Sequence, residues 1–209
     1  MAIEFERKEL YGGAIVTKVP VGLIDASDLR QIPDTQEVFL NPSENTRDYT
    51  QLNKDDSIIV DLMERIDGDD TEAIREHFSE ISALNDTSNS WKLVSIDDAP
   101  NKLNSKAYIG TGVEPALKWG RDESKGLDYK PTLVVVLGII RLKKVDTDVL
   151  VTQNVLISDE DELKDLEKLQ GAESSESEEN RAAKRISLAK TVVKEAISNL
   201  TVEDWNLFG

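Results

Sequence analysis

Short apolar runs bounded by glycine, proline and polar turn residues mark much of this chain, a pattern that predicts strands. In the opening ELYGGAIVTKVP, Ala14, Val16 and Lys18 alternate with Ile15, Thr17 and Val19, so a strand follows a bulge or turn at Gly12-Gly13. Pro20 and Gly22 end it, and Asp25 or Ser27 is placed to cap a short helical turn through Leu29. Pro33-Asp34 is a turn signal, and the next strand runs from Glu37 to Leu40. A polar loop, Asn41 to Asp56, leads to Ser57–Ile66, which fits two periods. Ile59, Leu62, Met63 and Ile66 share a helical face, but a β-branched start after a long loop favours a strand partnering residues 37–40, and the strand is adopted.

Helical spacing is plain in two places. Asp69 or Asp70 caps a helix through about Ala83, with Ile74, His77, Phe78 and Ile81 on one face. Near the C-terminus, Ala189, Val192, Val193, Ala196, Ile197 and Leu200 form a stripe suited to docking on a sheet. Between them lie strands at Trp91–Ile96 and Tyr108–Trp119, the second carrying Pro115 and therefore expected at an edge or bulge. Thr132 to Leu142 is the strongest β signal; Lys143–Asp146 joins it to a strand from Thr147 to Leu156 in a long hairpin. The first arm is apolar on both faces and so belongs at the centre, with layers above and below. The fold class is α/β (α+β) with a largely antiparallel sheet and helices on both faces, since strands arrive as hairpins and not as β-α-β units.

Composition narrows the function more than the fold. The 209 residues suit one domain, and 39% hydrophobic with 32% charged residues describes a folded, well-charged protein. A net charge of −16 argues against nucleic acid, which needs basic side chains to replace counterions. It suits a basic protein surface as partner, but taken alone it favours simple solubility by about two to one. Half of that charge lies between Asp159 and Glu179, and a flexible acidic insertion is expected at about 159–180. The N-terminal MAIEFERKEL lacks the apolar stretch of a secretory signal, and the longest apolar run, Leu133 to Ile140, is far short of a membrane span. With no cysteine, thiolate chemistry and cysteine-bound zinc are excluded.

Candidate chemistry is sparse. No phosphate-binding loop with its lysine follows Gly12-Gly13, and the lone histidine, His77, sits among apolar neighbours on the predicted helix. Asp67–Glu72 superficially resembles a calcium loop but lacks the glycine and closing glutamate in register, so helix capping is the better reading. No metal or cofactor is expected. Asp61 and Glu64 stand out because they interrupt an apolar run. On a helix they would share a face, and on a strand they would point to opposite sides unless a bulge intervenes.

Several stretches together carry a resemblance. ELYGGAI (9–15), GLIDASDLRQIPDTQEVF (22–39), SIIVDLMERID (57–67), RLKKVDTDVLVTQNV (141–155) and the closing DWNLFG resemble the Ran guanine nucleotide release factors, the Mog proteins of yeasts and their animal relatives. The likeness runs from Glu9 to the C-terminus and is weakest over 98–130 and 158–180. It implies a PsbP-like fold, a twisted antiparallel sheet with helices on both sides. It also implies a non-catalytic protein of nucleus and cytoplasm that binds the GTPase Ran, promotes nucleotide release and supports nuclear import. A monomer is expected, with other Ran-binding proteins as further partners and no nucleic acid or membrane. The family's acidic contact surface carries over to Asp61 and Glu64, with Asp25, Asp28, Asp34 and Glu37 on or beside it. The acidic insertion departs from the short connection of the animal relatives and receives no shared role. The rivals are a metal-assisted hydrolase using clustered carboxylates, and a scaffold that grips a basic partner without nucleotide release.

Overall fold

The computed structural model describes residues 2–44, 47–117, 130–170 and 180–209. Among these, β1 (Phe5–Leu10), β2 (Ile15–Pro20) and β10 (Thr201–Val202) form a small sheet in the order β1-β2-β10. The main sheet holds β3 (Ile24–Asp25), β4 (Gln36–Leu40), β5 (Ser57–Glu64), β6 (Lys92–Asp98), β7 (Lys106–Pro115), β8 (Thr132–Leu142) and β9 (Thr147–Ile157). Its order is β3-β4-β5-β9-β8-β7-β6, and every neighbouring pair in both sheets is antiparallel. Three helices complete the described fold: α1 (Asp70–Leu84), α2 (Glu160–Gln170) and α3 (Arg181–Asn199).

The doubly apolar β8 lies in the interior of the main sheet, as its composition requires. Its Val134, Val136 and Ile140 join the core under α3, while Leu133, Val135, Leu137 and Ile139 join Ile74 and Phe78 of α1 on the other face. Three glycines let the helices come this close. A Cβ at Gly138 would stand 2.7 Å from Val193 Cγ1 and 2.8 Å from Ile197 Cγ1, both on α3. On the opposite face, Gly110 and Gly112 of β7 make a bed for the Phe78 ring, which in turn stacks on Trp91 at 5.8 Å.

Two readings of the sequence need correction. Pro115 is not at an edge or bulge: it is the last residue of β7, which runs between β8 and β6. Its missing N–H is harmless there, because β6 is paired only as far as Val113. Trp119, placed in that strand, lies outside the described residues. The acidic segment is also not uniformly a flexible insertion, since Glu160–Gln170 is the helix α2, with Glu162, Asp165 and Leu166 buried. Asp159 starts it by accepting from the backbone of Asp161 at 2.9 Å and Glu162 at 3.2 Å. The acids that suggested solvation are paired with α3: Asp165 takes Arg181 Nε at 2.9 Å, and Glu162 takes Arg185 Nη1 at 3.0 Å. Residues 171–179, the rest of that expectation, lie outside the described residues.

The charge-rich β1 was not anticipated. It is an edge strand, where one side needs no apolar cover.

Gly138→Val is expected to destabilise the protein by about 1–3 kcal/mol or more, because the added methyls overpack the seam between β8 and α3. Urea denaturation measures it; an unchanged midpoint would show that α3 does not need the close approach.

Candidate functional site

Residues 57–64 form a strand without a bulge, paired to β4 on one side and β9 on the other. Asp61 and Glu64 therefore point to opposite faces, about 10 Å apart along the strand. Register collects acids at this end of the sheet. Asp61 pairs with Gln36, the first residue of β4, and Asp34 sits in the turn just before it. Glu64 lies beyond the end of β4, exposed, opposite Thr147 of β9.

The six acids expected at the surface differ in what they do. Asp25 accepts from the Ser27 amide at 2.9 Å and the Ser27 hydroxyl at 2.6 Å, capping a 3-10 turn at Ala26–Asp28. Asp28 and Asp34 are exposed. Glu37 faces the α3 side of the sheet with Val60 and accepts the Tyr11 amide at 2.5 Å. Asp61 is half-buried, and its Oδ1 is shielded from solvent without a partner among the described residues. Burial raises the Asp61 carboxyl above the ordinary range against an opposing hydrogen bond from Gln36. The structure thus brings Asp34, Asp61 and Glu64 to one end of the sheet and gives Asp25 and Glu37 internal work.

Tyr11 is the residue that reading by composition missed. It adopts a left-handed backbone, φ 51°, and leads into Gly12 and Gly13, which are also left-handed. Its hydroxyl lies 3.0 Å from both the Thr35 and the Val60 carbonyl oxygens, bridging the β4 turn to β5. Burial pushes its phenol upward, with the charges of Asp61 and Glu37 adding to the effect, so the hydroxyl stays a donor. The signal was present in ELYGGAI: a turn at two glycines preceded by an aromatic residue with a polar tip.

The far side of β5 is fastened by a buried charge cluster. Asp148, fully buried on β9, accepts from Arg141 Nε at 3.3 Å, from the Ile66 amide at 3.2 Å, and lies 3.0 Å from His77 Nε2. Arg141 also donates to Asp70 at the start of α1 and to the Ile66 carbonyl. The chain leaving Glu64 is held on both its amide and its carbonyl. Three of the four carboxylates of Asp67–Glu72 are spent locally: Asp67 on Arg65, Asp69 as the α1 cap, and Asp70 on Arg141, Lys106 and Tyr108.

The description Ran-interacting Mog1 protein fits residues 8–156 of this chain. The chain belongs to the Mog1 family. It is 34% identical over 202 residues to the nuclear import protein MOG1 of Saccharomyces cerevisiae, covering 96% of this chain and 83% of that one. The Ran guanine nucleotide release factor of Homo sapiens is 29% identical over 206 residues, 96% of this chain and 95% of its own. The crystal structure of the Saccharomyces cerevisiae Ran-binding protein Mog1p superposes with a TM-score of 0.73 at 32% identity, covering 100% of both chains. The likeness to Mog1 spans both sheets, so it includes the end where Asp61 and Glu64 stand.

In this Mog1 family member, Tyr11→Phe removes the hydrogen bond its hydroxyl shares between the Thr35 and Val60 carbonyls, leaving Thr35 with the Leu62 amide at 3.0 Å. The expected cost is about 1 kcal/mol, read as a lower urea midpoint. Hydrogen exchange at Gln36 and Leu62 should quicken; unchanged exchange there would mean the tyrosine does not tie the two strands.

Proposed function

We propose that this chain binds the small GTPase Ran, promotes release of its bound guanine nucleotide and so supports protein import into the nucleus, acting by binding alone. Family membership and the names of the relatives support the partner and the process. The contact surface wraps the acidic end of β4 and β5, with Asp61 on one face of the sheet, Glu64 on the other and Asp34 in the adjoining turn; the exposed Asp28 is a further contact, and Asp25 and Glu37 shape its support. One observation carries this assignment: the half-buried Asp61 carboxylate, whose Oδ1 has no partner within the described chain. A buried acceptor left open within the chain is best satisfied by a cation brought from outside.

Release follows from linkage. A GTPase holds its nucleotide through backbone amides, a lysine and magnesium. A protein that binds the empty form more tightly than the loaded form must weaken nucleotide binding by the same factor. Asp61, recessed and fixed by Gln36, takes a lysine or arginine of Ran; Glu64, exposed, adds steering through the chain's acidic field. The protein works as one copy per Ran, in both nucleus and cytoplasm.

Ran loaded with a fluorescent nucleotide tests the whole reading. Adding the purified protein should lower the signal with the nucleotide recovered intact. Recovery of hydrolysed nucleotide from the protein alone would favour a hydrolase, and binding without release would favour a scaffold. Asp61→Lys and Glu64→Lys should each weaken Ran binding by about tenfold or more while the urea midpoint barely moves. Normal binding by both folded variants would remove this surface from the mechanism.

Acid should weaken binding through Asp61. Its carboxyl is raised in the free protein, and a bound cation lowers it again, so binding expels a proton and affinity falls as pH drops through the raised value. Affinity measured from pH 7 downward should lose part of this slope in Asp61→Asn; an identical slope would place the proton elsewhere.

A further inference from the structure

The opposite edge of the main sheet carries a second feature. α3 packs against β2, β8 and β9 more than against β7, which leaves a cleft between β6–β7 and the two helices α2 and α3. Its volume is about 660 Å³, within the range of small-molecule sites. Val113 and Thr111 of β7 line it from the sheet, Leu166 and Leu169 from α2 and Ile186 from α3, with the exposed Val94 of β6 at its rim.

Thr111 gives this cleft a chemical preference. Its side chain is 2% exposed, and its Oγ1 has no hydrogen-bond partner among the described residues. An unpaired buried hydroxyl costs free energy that an incoming polar group recovers. Among the described residues the rim adds no free charge: Lys190 Nζ stands 3.2 Å from Ser95 Oγ and 3.4 Å from Asp97 Oδ2. With the whole chain at −16, an anion is disfavoured as well. We infer that the cleft binds a small, uncharged lipophilic molecule whose single hydroxyl or carbonyl group bonds to Thr111. Strands β8 and β9 separate it from β5, so the cleft and the acidic end can be occupied independently.

The test uses the full chain, with 1-octanol and 2-octanone as probes and octanoate as the charged control. Titration followed by amide chemical shifts should give saturable changes at residues 94–95, 111–113 and 186–190 for the two neutral probes, and weaker ones for octanoate. Thr111→Val keeps the volume and removes the hydroxyl; it should fold and weaken both neutral probes about fivefold to tenfold. Ser187→Phe, at an exposed position lining the cleft, should fold and abolish binding by filling the space. Neither variant should change nucleotide release from Ran. Absence of saturable shifts with both neutral probes, or equal affinity in both variants, overturns the proposal and leaves a cleft that holds water only.

Discussion

Asp148 is the point on which this structure depends. A carboxylate at the centre of a sheet, with no exposure, costs several kcal/mol unless charge and hydrogen bonds surround it. The groups that meet there come from four separate parts of the chain. Arg141 arrives from β8, His77 from α1, the Ile66 amide from the exit of β5, and the carboxylate itself from β9. Satisfying one charge therefore fixes the register of the β8–β9 hairpin, the seat of α1 and the direction in which the chain leaves Glu64. Apolar packing would bring the same elements together, but with less say over where each stops.

Arg185 repeats this logic under α3. It donates to Asp56 at 2.5 Å, to Glu162 at 3.0 Å and to the Leu156 carbonyl at 2.7 Å. Burial outweighs the arginine at Asp56 and pushes that carboxyl up to about 6, so the pair is expensive. What it supplies is position: the loop before β5, the end of β9 and the start of α2 meet at one guanidinium. Each end of β5 is thus held by a buried arginine cluster, and the acidic end presents Asp61 and Glu64 from a strand that cannot slip.

Most elements were legible because their periods are unambiguous. Alternation gave β2, a turn signal placed β4, a continuous apolar run gave β8 and its hairpin to β9, and the helical stripes gave α1 and α3 with their buried faces. Even Ser57–Ile66, where two periods competed, resolved to the strand that partners β4. What failed was reading charge as solvation. β1 and α2 are rich in charge, and α2 reads as flexible chain in the sequence because Asp165 and Glu162 have no visible partner until Arg181 and Arg185 fold beside them. The candidate acids were legible as a family pattern, but not their division of labour. Whether a carboxylate caps a turn, as Asp25 does, or stands open, as Asp61 does, depends on neighbours far along the chain.

The order of apolar and polar residues by itself determined the antiparallel sheet, the two faces that helices must cover and the acidic character of the surface, because these follow from short-range period and net charge. Only the tertiary structure decided that no bulge interrupts β5 between Asp61 and Glu64, that Tyr11 bridges Thr35 and Val60, and that Thr111 lines a cleft with its hydroxyl unpaired among the described residues. Those outcomes rest on register between distant strands and on which side chains bury one another's polar groups. Local periodicity does not encode either.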